Sequence, residues 1–287
     1  MKFDVVVGNP PYQNGDNSHF YKQFISLAKR RANTVALVIP CSYFNNLDFF
    51  ADISHYCYNG KNFTNVDLAT SWFIWQRHYR KSCKIFINKE CVIVDKIATP
   101  PLNNVYMFNF INDMKLRHVT CYTIKGGKLL RKDAITDDDG IDCIWSCGGN
   151  RDEFDKSKIS PNQIEKTSGF GRHKVVVSEA YGGYFKQGDN IYNRLGGIKY
   201  ADPQHSCAAG ARYIETLSKI QSENLISYLE TKFVKAIVGN VKNTFHNTSQ
   251  VFSCIPVIDT NKKWSDSELY KHFDLSEELI LYIETTF

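Results

Sequence analysis

The sequence predicts an α/β protein, on three observations. Residues Phe3 to Gly8 read FDVVVG, a β-branched apolar run bounded by glycine and two prolines, which is the pattern of a buried strand ending in a stiff turn. A helix-periodic stretch then leads to a second apolar run, Val35 to Ile39; strand, helix and strand with all-apolar strands form a βαβ unit. Over residues 105 to 220, short apolar runs alternate with the pairs Gly126-Gly127, Gly148-Gly149, Gly182-Gly183 and Gly196-Gly197, which predicts a loop-rich α+β segment.

Taken in order, the three consecutive valines of FDVVVG leave no polar side, so this strand is expected to be covered on both faces, as in a parallel sheet. Gln13 to Asn17 is polar and Ser18 is placed to cap a helix. Phe20, Phe24, Leu27 and Ala28 recur at helical spacing, and Lys29, Arg30 and Arg31 suit the negative end of that helix. The second strand ends at Pro40-Cys41-Ser42. Tyr43 to Tyr58 reads as loosely helical, and Val66 to Trp75, Cys83 to Ile87 and Cys91 to Val94 as strands. Thr99-Pro100-Pro101-Leu102-Asn103-Asn104 is the best linker. Asp137 to Asp139 form an acidic turn, and Lys174 to Phe185 contains a further strand. Residues 223 to 238 give one long helix that Gly239 would end. Ser265 with Glu268 is a capping box, and Ser276 starts a last helix. The expected organisation is 1–98, 99–245 and a helical tail, 246–287.

Composition narrows the function. The net charge of +5 is unevenly spread: 12 Lys+Arg against 7 Asp+Glu in residues 1–98, 20 against 16 in 99–245, and 3 against 7 in 246–287. The first two segments can meet phosphates; the tail is acidic. No apolar run approaches the roughly 18 residues of a membrane span, and no basic-then-apolar leader is present. Nine scattered cysteines lack a C-x-x-C pair, so reduced thiols in a cytoplasmic protein without a metal site are expected.

The residues that carry chemistry are Asn9, Pro10, Pro11 and Tyr12, directly after the first strand. In open α/β sheets ligands sit beyond the carboxyl ends of strands. The Asn9 amide oxygen can accept from an NH2 group, the prolines leave rigid carbonyls without competing donors, and the Tyr12 ring can stack on a flat base. The set suits work on an amino group attached to a planar ring.

This run, F-D-V-V-V-G followed by N-P-P-Y, resembles that of amino-methylating DNA methyltransferases, in particular the adenine-specific kind. A second resemblance lies at the far end of the chain. Y-L-E-T-K-F, V-F-S-C-I-P and K-W-S-D-S-E-L-Y-K-H-F-D-L-S-E-E are similar to the C-terminal part of type IIG-like restriction-modification methyltransferases. The resemblance implies a partial Rossmann-like methyltransferase sheet over 1–98, the catalytic half, followed by an α+β target-recognition domain. It implies Asn9, Pro10, Pro11 and Tyr12 as the catalytic set acting on an adenine flipped from double-stranded DNA. Trp72, Phe73 and Trp75 are candidates for closing the other face of the base, and Phe73 is the one singled out. Arg172, Lys174, Lys186, Arg194, Lys199 and Arg212 are the candidate DNA contacts of the recognition segment.

The family also uses S-adenosylmethionine, held by a Gly-rich turn after its first strand and an acidic residue after its second. Those elements normally precede N-P-P-Y, and only eight residues precede Asn9 here. Lys174 to Phe185, with Glu179 and two glycines, lacks the Gly-x-Gly spacing of a permuted cofactor half. The expectation is that the cofactor is bound by a segment or partner chain outside this sequence, and that the first strand is left with an apolar edge open to association. The alternative is a catalytically inactive DNA-binding or anti-restriction derivative. An RNA or protein amino-methyltransferase is disfavoured by the C-terminal resemblance.

Overall fold

A computed structural model describes residues 2–12, 20–60, 70–127, 135–136, 140–147, 153–166, 168–187, 190–242 and 246–287. The polar run 13–17, Ser18, strand residues 66–69, the acidic turn 137–139 and Gly148-Gly149 lie outside the described residues. The fold is α/β and divides into two compact units, Met1–His118 and Val119–Phe287.

The first unit is built on a six-stranded sheet. Its elements are β1 (Phe3–Gly8), α1 (Phe20–Arg31), β2 (Ala32–Pro40), β3 (Ile53–Gly60), β4 (Thr70–Gln76), β5 (Cys83–Ile87), β6 (Glu90–Val94) and α2 (Val105–Leu116). The spatial order is β1-β2-β4-β3-β5-β6. β1 and β2 pair in parallel, with Val5 opposite Thr34 and Gly8 opposite Leu37, as the βαβ pattern requires. The sheet is otherwise mixed: β4 runs antiparallel to both β2 and β3, while β3 and β5 are parallel.

One face carries the core. Val35, Leu37 and Ile39 of β2, Phe73 and Trp75 of β4, Tyr56 of β3, and Ile85 and Ile87 of β5 are buried at alternate positions. Tyr21, Ile25 and Ala28 of α1 are buried too, as are Tyr43, Phe44 and Phe50 from two 3-10 turns, Cys41–Asn45 and Leu47–Phe50. Those turns and β3 replace the loose helix expected over 43–58. Pairing of β3 with two strands outweighs its indifferent local propensity, as tertiary context does for most strands.

The expectation that β1 is covered on both faces is corrected. It is the edge strand of the described sheet, and Phe3, Val5 and Val7 are exposed, Val7 by 74%. The α1 stripe differs as well: Phe24 and Leu27 are exposed. The apolar residues are those of a central strand and its helix, but no described element lies against them. The segment 99–104, expected as a linker, belongs to the first unit. Thr99, Pro101 and Leu102 are buried, and Asn112 of α2 holds the chain just before them, accepting from the Ala98 amide at 2.7 Å and donating to the Lys96 carbonyl at 3.1 Å.

The second unit contains β7 (Lys125–Gly126), β8 (Ile141–Ser146), β9 (Asp155–Ile159), β10 (His173–Ser178), β11 (Tyr184–Gln187), β12 (Asn190–Asn193), β13 (Lys199–Ala201), β14 (Ser206–Cys207), β15 (Ala211–Thr216), α3 (Lys219–Leu229), α4 (Lys232–Val241), α5 (Ser249–Phe252), α6 (Asp266–His272) and α7 (Glu277–Thr286). The strands form a sheet β13-β10-β15-β7, a sheet β14-β8-β9 and a separate two-stranded ribbon, β11-β12. Ile144, Cys147, Val176, Ala201, Cys207, Ala211 and Tyr213 pack as one apolar core.

The single helix expected over 223–238 is two helices. Thr231 breaks it, because its hydroxyl accepts from the Val234 amide and caps α4. Gly239 does not end α4 but lies inside it. A Cβ there would stand 2.8 Å from the Phe287 ring, so glycine admits a close neighbour rather than terminating the helix. The capping box is present: Ser265 accepts from the Glu268 amide, and the Glu268 carboxylate accepts from the Ser265 amide at 2.9 Å. Ser276 caps α7 with its hydroxyl alone, which accepts from the Leu279 amide at 3.3 Å. Such caps contribute about 1 kcal/mol each.

Cys143, Cys147 and Cys207 are fully buried, and burial pushes each thiol up to about 12. A thiol held protonated in the fold but free to ionise at about 9 when unfolded favours the fold below pH 9, and that advantage is lost as pH rises toward 12. Denaturant unfolding under reducing conditions is therefore expected to give a stability that falls steadily above pH 9. Cys207→Ala is expected to make the fall shallower, and a flat wild-type profile between pH 9 and 10.5 would contradict the assignment.

Candidate functional site

The strand register fixes where the first candidate site lies. Gly8 ends β1 opposite Leu37 of β2, so Asn9 to Tyr12 leave the sheet at the carboxyl ends of the two parallel strands. Pro40 and Cys41 end β2 at the same side. Because β4 is antiparallel to β2, its first residues arrive there too: Thr70 lies opposite Pro40 and Ser71 opposite Ile39.

Within the run, Pro10 is buried while Asn9 and Pro11 are exposed. The buried ring anchors the turn and leaves the Asn9 amide in solvent. Tyr12 is half-buried, edge-on to Tyr21 with ring centroids 6.2 Å apart. Tyr21 in turn meets Tyr43 edge-on at 6.1 Å, and Tyr43 stacks on Phe49 at 4.0 Å. The Tyr12 hydroxyl is buried without a hydrogen-bond partner. Desolvation, with a smaller contribution from Cys41 nearby, raises its pKa above the usual phenol value. Burial pushes the Cys41 thiol up to about 12, so it is not a nucleophile at neutral pH. Thr70 Oγ1 is a second buried hydroxyl without a partner at this end of the sheet. Unpaired buried polar atoms are uncommon and costly, about 1–3 kcal/mol each, and here they gather where the motif leaves the sheet.

Phe73 takes a different place from the one expected for a base-stacking residue. It is 1% exposed in the middle of β4, with its ring 5.5 Å from Phe44. Both neighbours in the sheet, Leu37 and Tyr56, are buried as well. It offers no free face to a ligand. Trp75 is buried also, with Lys29 Nζ and the Arg77 guanidinium over its ring at 5.3 and 5.6 Å. Trp72 is partly exposed, on the opposite face of the sheet.

The six candidate DNA contacts divide into two groups. Arg172, Lys186 and Arg194 are exposed. Arg172 stands at an open cavity of about 360 Å³ lined by Tyr122, Ile214, Leu217, Leu225 and Val257 among others. Arg194 lays its guanidinium over the Phe185 ring at 4.8 Å. The other three are occupied. Lys174 is fully buried, donating to the carbonyls of Arg172 and Asp202, both at 2.8 Å. Desolvation lowers its pKa. Lys199 donates to the carbonyls of Cys147 at 2.6 Å and Glu153 at 2.8 Å. Arg212 pairs with Glu179. All three act as structural cations; the fully buried Lys174 is corrected from a DNA contact, while the Arg212 side chain stays 33% exposed. Lys174 and Lys199 satisfy backbone carbonyls that strand pairing leaves open, a task that sequence spacing does not reveal. Lys242, not singled out from the sequence, is a fourth. Its buried ammonium donates to the carbonyls of Tyr181 at 3.1 Å and Arg194 at 2.6 Å, and burial lowers its pKa to about 8.

Among the described residues, no cluster of three or more His, Cys, Asp or Glu side chains could hold a metal ion, and no helix is long and apolar enough to cross a membrane.

By fold and motif, then, the chain is an α/β protein with an N-P-P-Y turn at the carboxyl end of a parallel strand pair. No family model matches the sequence, and no curated protein matches it either. Among solved structures it is similar to the type IIL restriction-modification enzyme MmeI, determined in complex with DNA, with a TM-score of 0.44 and 10% sequence identity. The match covers 87% of this chain and 45% of that one, so the chain spans less than half the length of this neighbour.

Replacing Lys174 by Ala is expected to destabilise the second unit by about 1–3 kcal/mol, because two buried carbonyls lose their donor. Lys174→Met, which keeps the volume, is expected to lose less. Equilibrium unfolding checks both, and a Lys174→Ala variant as stable as the wild type would show that the two carbonyls do not depend on this ammonium.

Proposed function

We propose that the chain is the catalytic and DNA-recognition portion of a site-specific DNA adenine-N6 methyltransferase of a restriction-modification system. One observation carries this reading: Asn9-Pro10-Pro11-Tyr12 directly follows a strand paired in parallel, with Pro10 buried as an anchor and the Asn9 amide exposed. A flipped adenine would bring its amino group to the Asn9 amide oxygen and the Pro10 carbonyl, which accept its two protons in hydrogen bonds. Accepting both protons draws the nitrogen lone pair out of the ring and aims it away from the protein. Tyr12, held edge-on by Tyr21, supplies a stacking face. The contribution of these residues is positioning and electrostatics.

The methyl donor implied by this reading is S-adenosylmethionine, and the described residues do not fit it. The turn after β1 is blocked by two prolines, which have no N–H to offer. The turn after β2, Cys41–Asn45, carries no carboxylate for a ribose. A partner chain or segment holding the cofactor is therefore part of the proposal. The β1 edge supports it. Phe3, Val5 and Val7 are exposed along that strand, and burying one such side chain contributes about 1.5–3 kcal/mol.

The poor fit to the cofactor favours a second reading, a DNA-binding derivative without catalysis. Calorimetric titration of S-adenosylmethionine into the purified chain separates them: saturable binding by the chain alone would overturn the claim that the cofactor site lies elsewhere. Once the chain is supplied with its cofactor-binding partner, Asn9→Ala is expected to lower methyl transfer to DNA by on the order of a hundredfold or more while DNA affinity stays unchanged. Unaltered transfer would remove Asn9 from the site.

A further inference from the structure

We propose that the β11-β12 ribbon is the part of the second unit that enters the major groove of duplex DNA, with Tyr184 and Lys186 facing the base edges and Arg194 on a flanking phosphate. The proposal rests on the DNA-binding reading above and names the element that would give it sequence specificity.

The ribbon stands apart from the other sheets of the unit. Tyr184, Phe185, Lys186 and Gln187 pair antiparallel with Asn193, Tyr192, Ile191 and Asn190, and neither strand pairs with any other described strand. Successive side chains alternate in direction, and the two sides differ sharply. The inner side is apolar and seated. Phe185 stacks on Tyr192 with centroids 5.2 Å apart, and both rings meet Phe287 edge-on, at 5.2 and 4.9 Å. Gln187 on the same side donates to the Thr285 carbonyl. The outer side carries Tyr184, 56% exposed, the exposed Lys186, and at its base Asn193, half-buried and donating to the Lys242 carbonyl at 2.6 Å.

The base of the ribbon is closed. The Arg194 amide donates to the Gly183 carbonyl at 3.1 Å, which continues the ladder by one rung. Lys242 bridges the chain entering the ribbon and the chain leaving it through the carbonyls of Tyr181 and Arg194. The Tyr181 ring fills the space beside Gly183 and Gly196, where a Cβ would come within 2.0 and 2.2 Å of it. A ribbon fixed at its base and on one side presents the other side in a set orientation. That preorganisation is what base recognition requires, since an ordered reading element loses little entropy on binding.

The chemistry selects the partner. A two-stranded ribbon matches the width of the major groove, which carries the full donor and acceptor code. From 184 to 194 the sequence carries two cations, Lys186 and Arg194, against one carboxylate, Asp189 between the two strands, a net positive charge. Lys186 can donate to guanine O6 and N7, and Tyr184 combines a ring face with a hydroxyl. Arg194, held over Phe185, keeps its guanidinium exposed beside the ribbon for a phosphate.

Selection of the purified chain on a pool of random duplexes, followed by titration of the enriched duplexes at several salt concentrations, tests this. For Lys186→Ala, the selected sequence is expected to lose preference at one or two positions, each by on the order of tenfold. Tyr184→Ala is expected to weaken binding to the enriched duplexes more than to the starting pool. Arg194→Gln is expected to leave the selected sequence intact, weaken binding to all duplexes, and make the salt dependence shallower by about one. All three side chains are exposed, and unchanged thermal unfolding confirms that the variants fold. If Tyr184→Ala and Lys186→Ala select the wild-type sequence with wild-type affinity, the ribbon is not the reading element, although the DNA-binding reading stands. A wild-type chain that binds no duplex even at low salt would overturn both.

Discussion

The parallel pairing of β1 with β2 is the constraint on which the first unit depends. It is the only strand pairing β1 makes among the described residues, and it alone sets the height at which Asn9 leaves the sheet. Three features hold it. Val6 lies opposite the buried Val35. α1, the crossover between β1 and β2, buries Tyr21, Ile25 and Ala28. Pro10, itself buried, prevents the chain from continuing as strand, since its nitrogen has no proton for the ladder. The motif is thus a consequence of strand termination as much as of its own chemistry: the residues that stop the strand also aim its last carbonyls.

The same strand is where the described fold is least complete. A sheet edge presents unpaired N–H and C=O groups, and natural edges are usually blunted by charges, prolines or bulges. The β1 edge carries only Asp4 between Phe3 and Val5, and its pairing with β2 shows no bulge. Phe24 and Leu27 of α1 are exposed too. Val6 faces the core side with Val35 and α1, so Phe3, Val5 and Val7 lie on the other face of the sheet. The strand and the flank of its helix are two separate apolar surfaces, and the strand, with its unpaired edge, is the physical basis for assigning a partner.

In the second unit, lysines do the work that would fall to strand pairing in a more regular sheet. Lys174, Lys199 and Lys242 each donate to two main-chain carbonyls, all of them distant in sequence from the lysine except Arg172, two residues before Lys174. A long, flexible ammonium can satisfy acceptors that no neighbouring strand reaches, and an unmade bond to a buried carbonyl is costly. This explains how a segment rich in short strands holds together. It also explains why the number of basic residues there overstates its capacity to contact phosphate.

The sequence by itself determined the local elements whose cause is local. These are β1 and its proline stop, α1 with its basic end, the apolar run of β2, the hairpin β5-β6, the capping box of α6 and the N-cap of α7. The N-P-P-Y turn was legible for the same reason, since its rigidity and its acceptors lie within four residues. Only the tertiary structure decided what depends on neighbours far along the chain. It placed β1 at an edge, turned 41–60 into turns and a strand by pairing β3 between β4 and β5, and buried Phe73 instead of presenting it. It drew Lys174 inward and tied Lys199 and Arg212 to carbonyls and a carboxylate, while leaving Lys186 and Arg194 outside, because a charged side chain goes where unpaired carbonyls or carboxylates need it. It put Gly239 inside a helix, because the space for the Phe287 ring is a property of two chain segments meeting and of neither one alone.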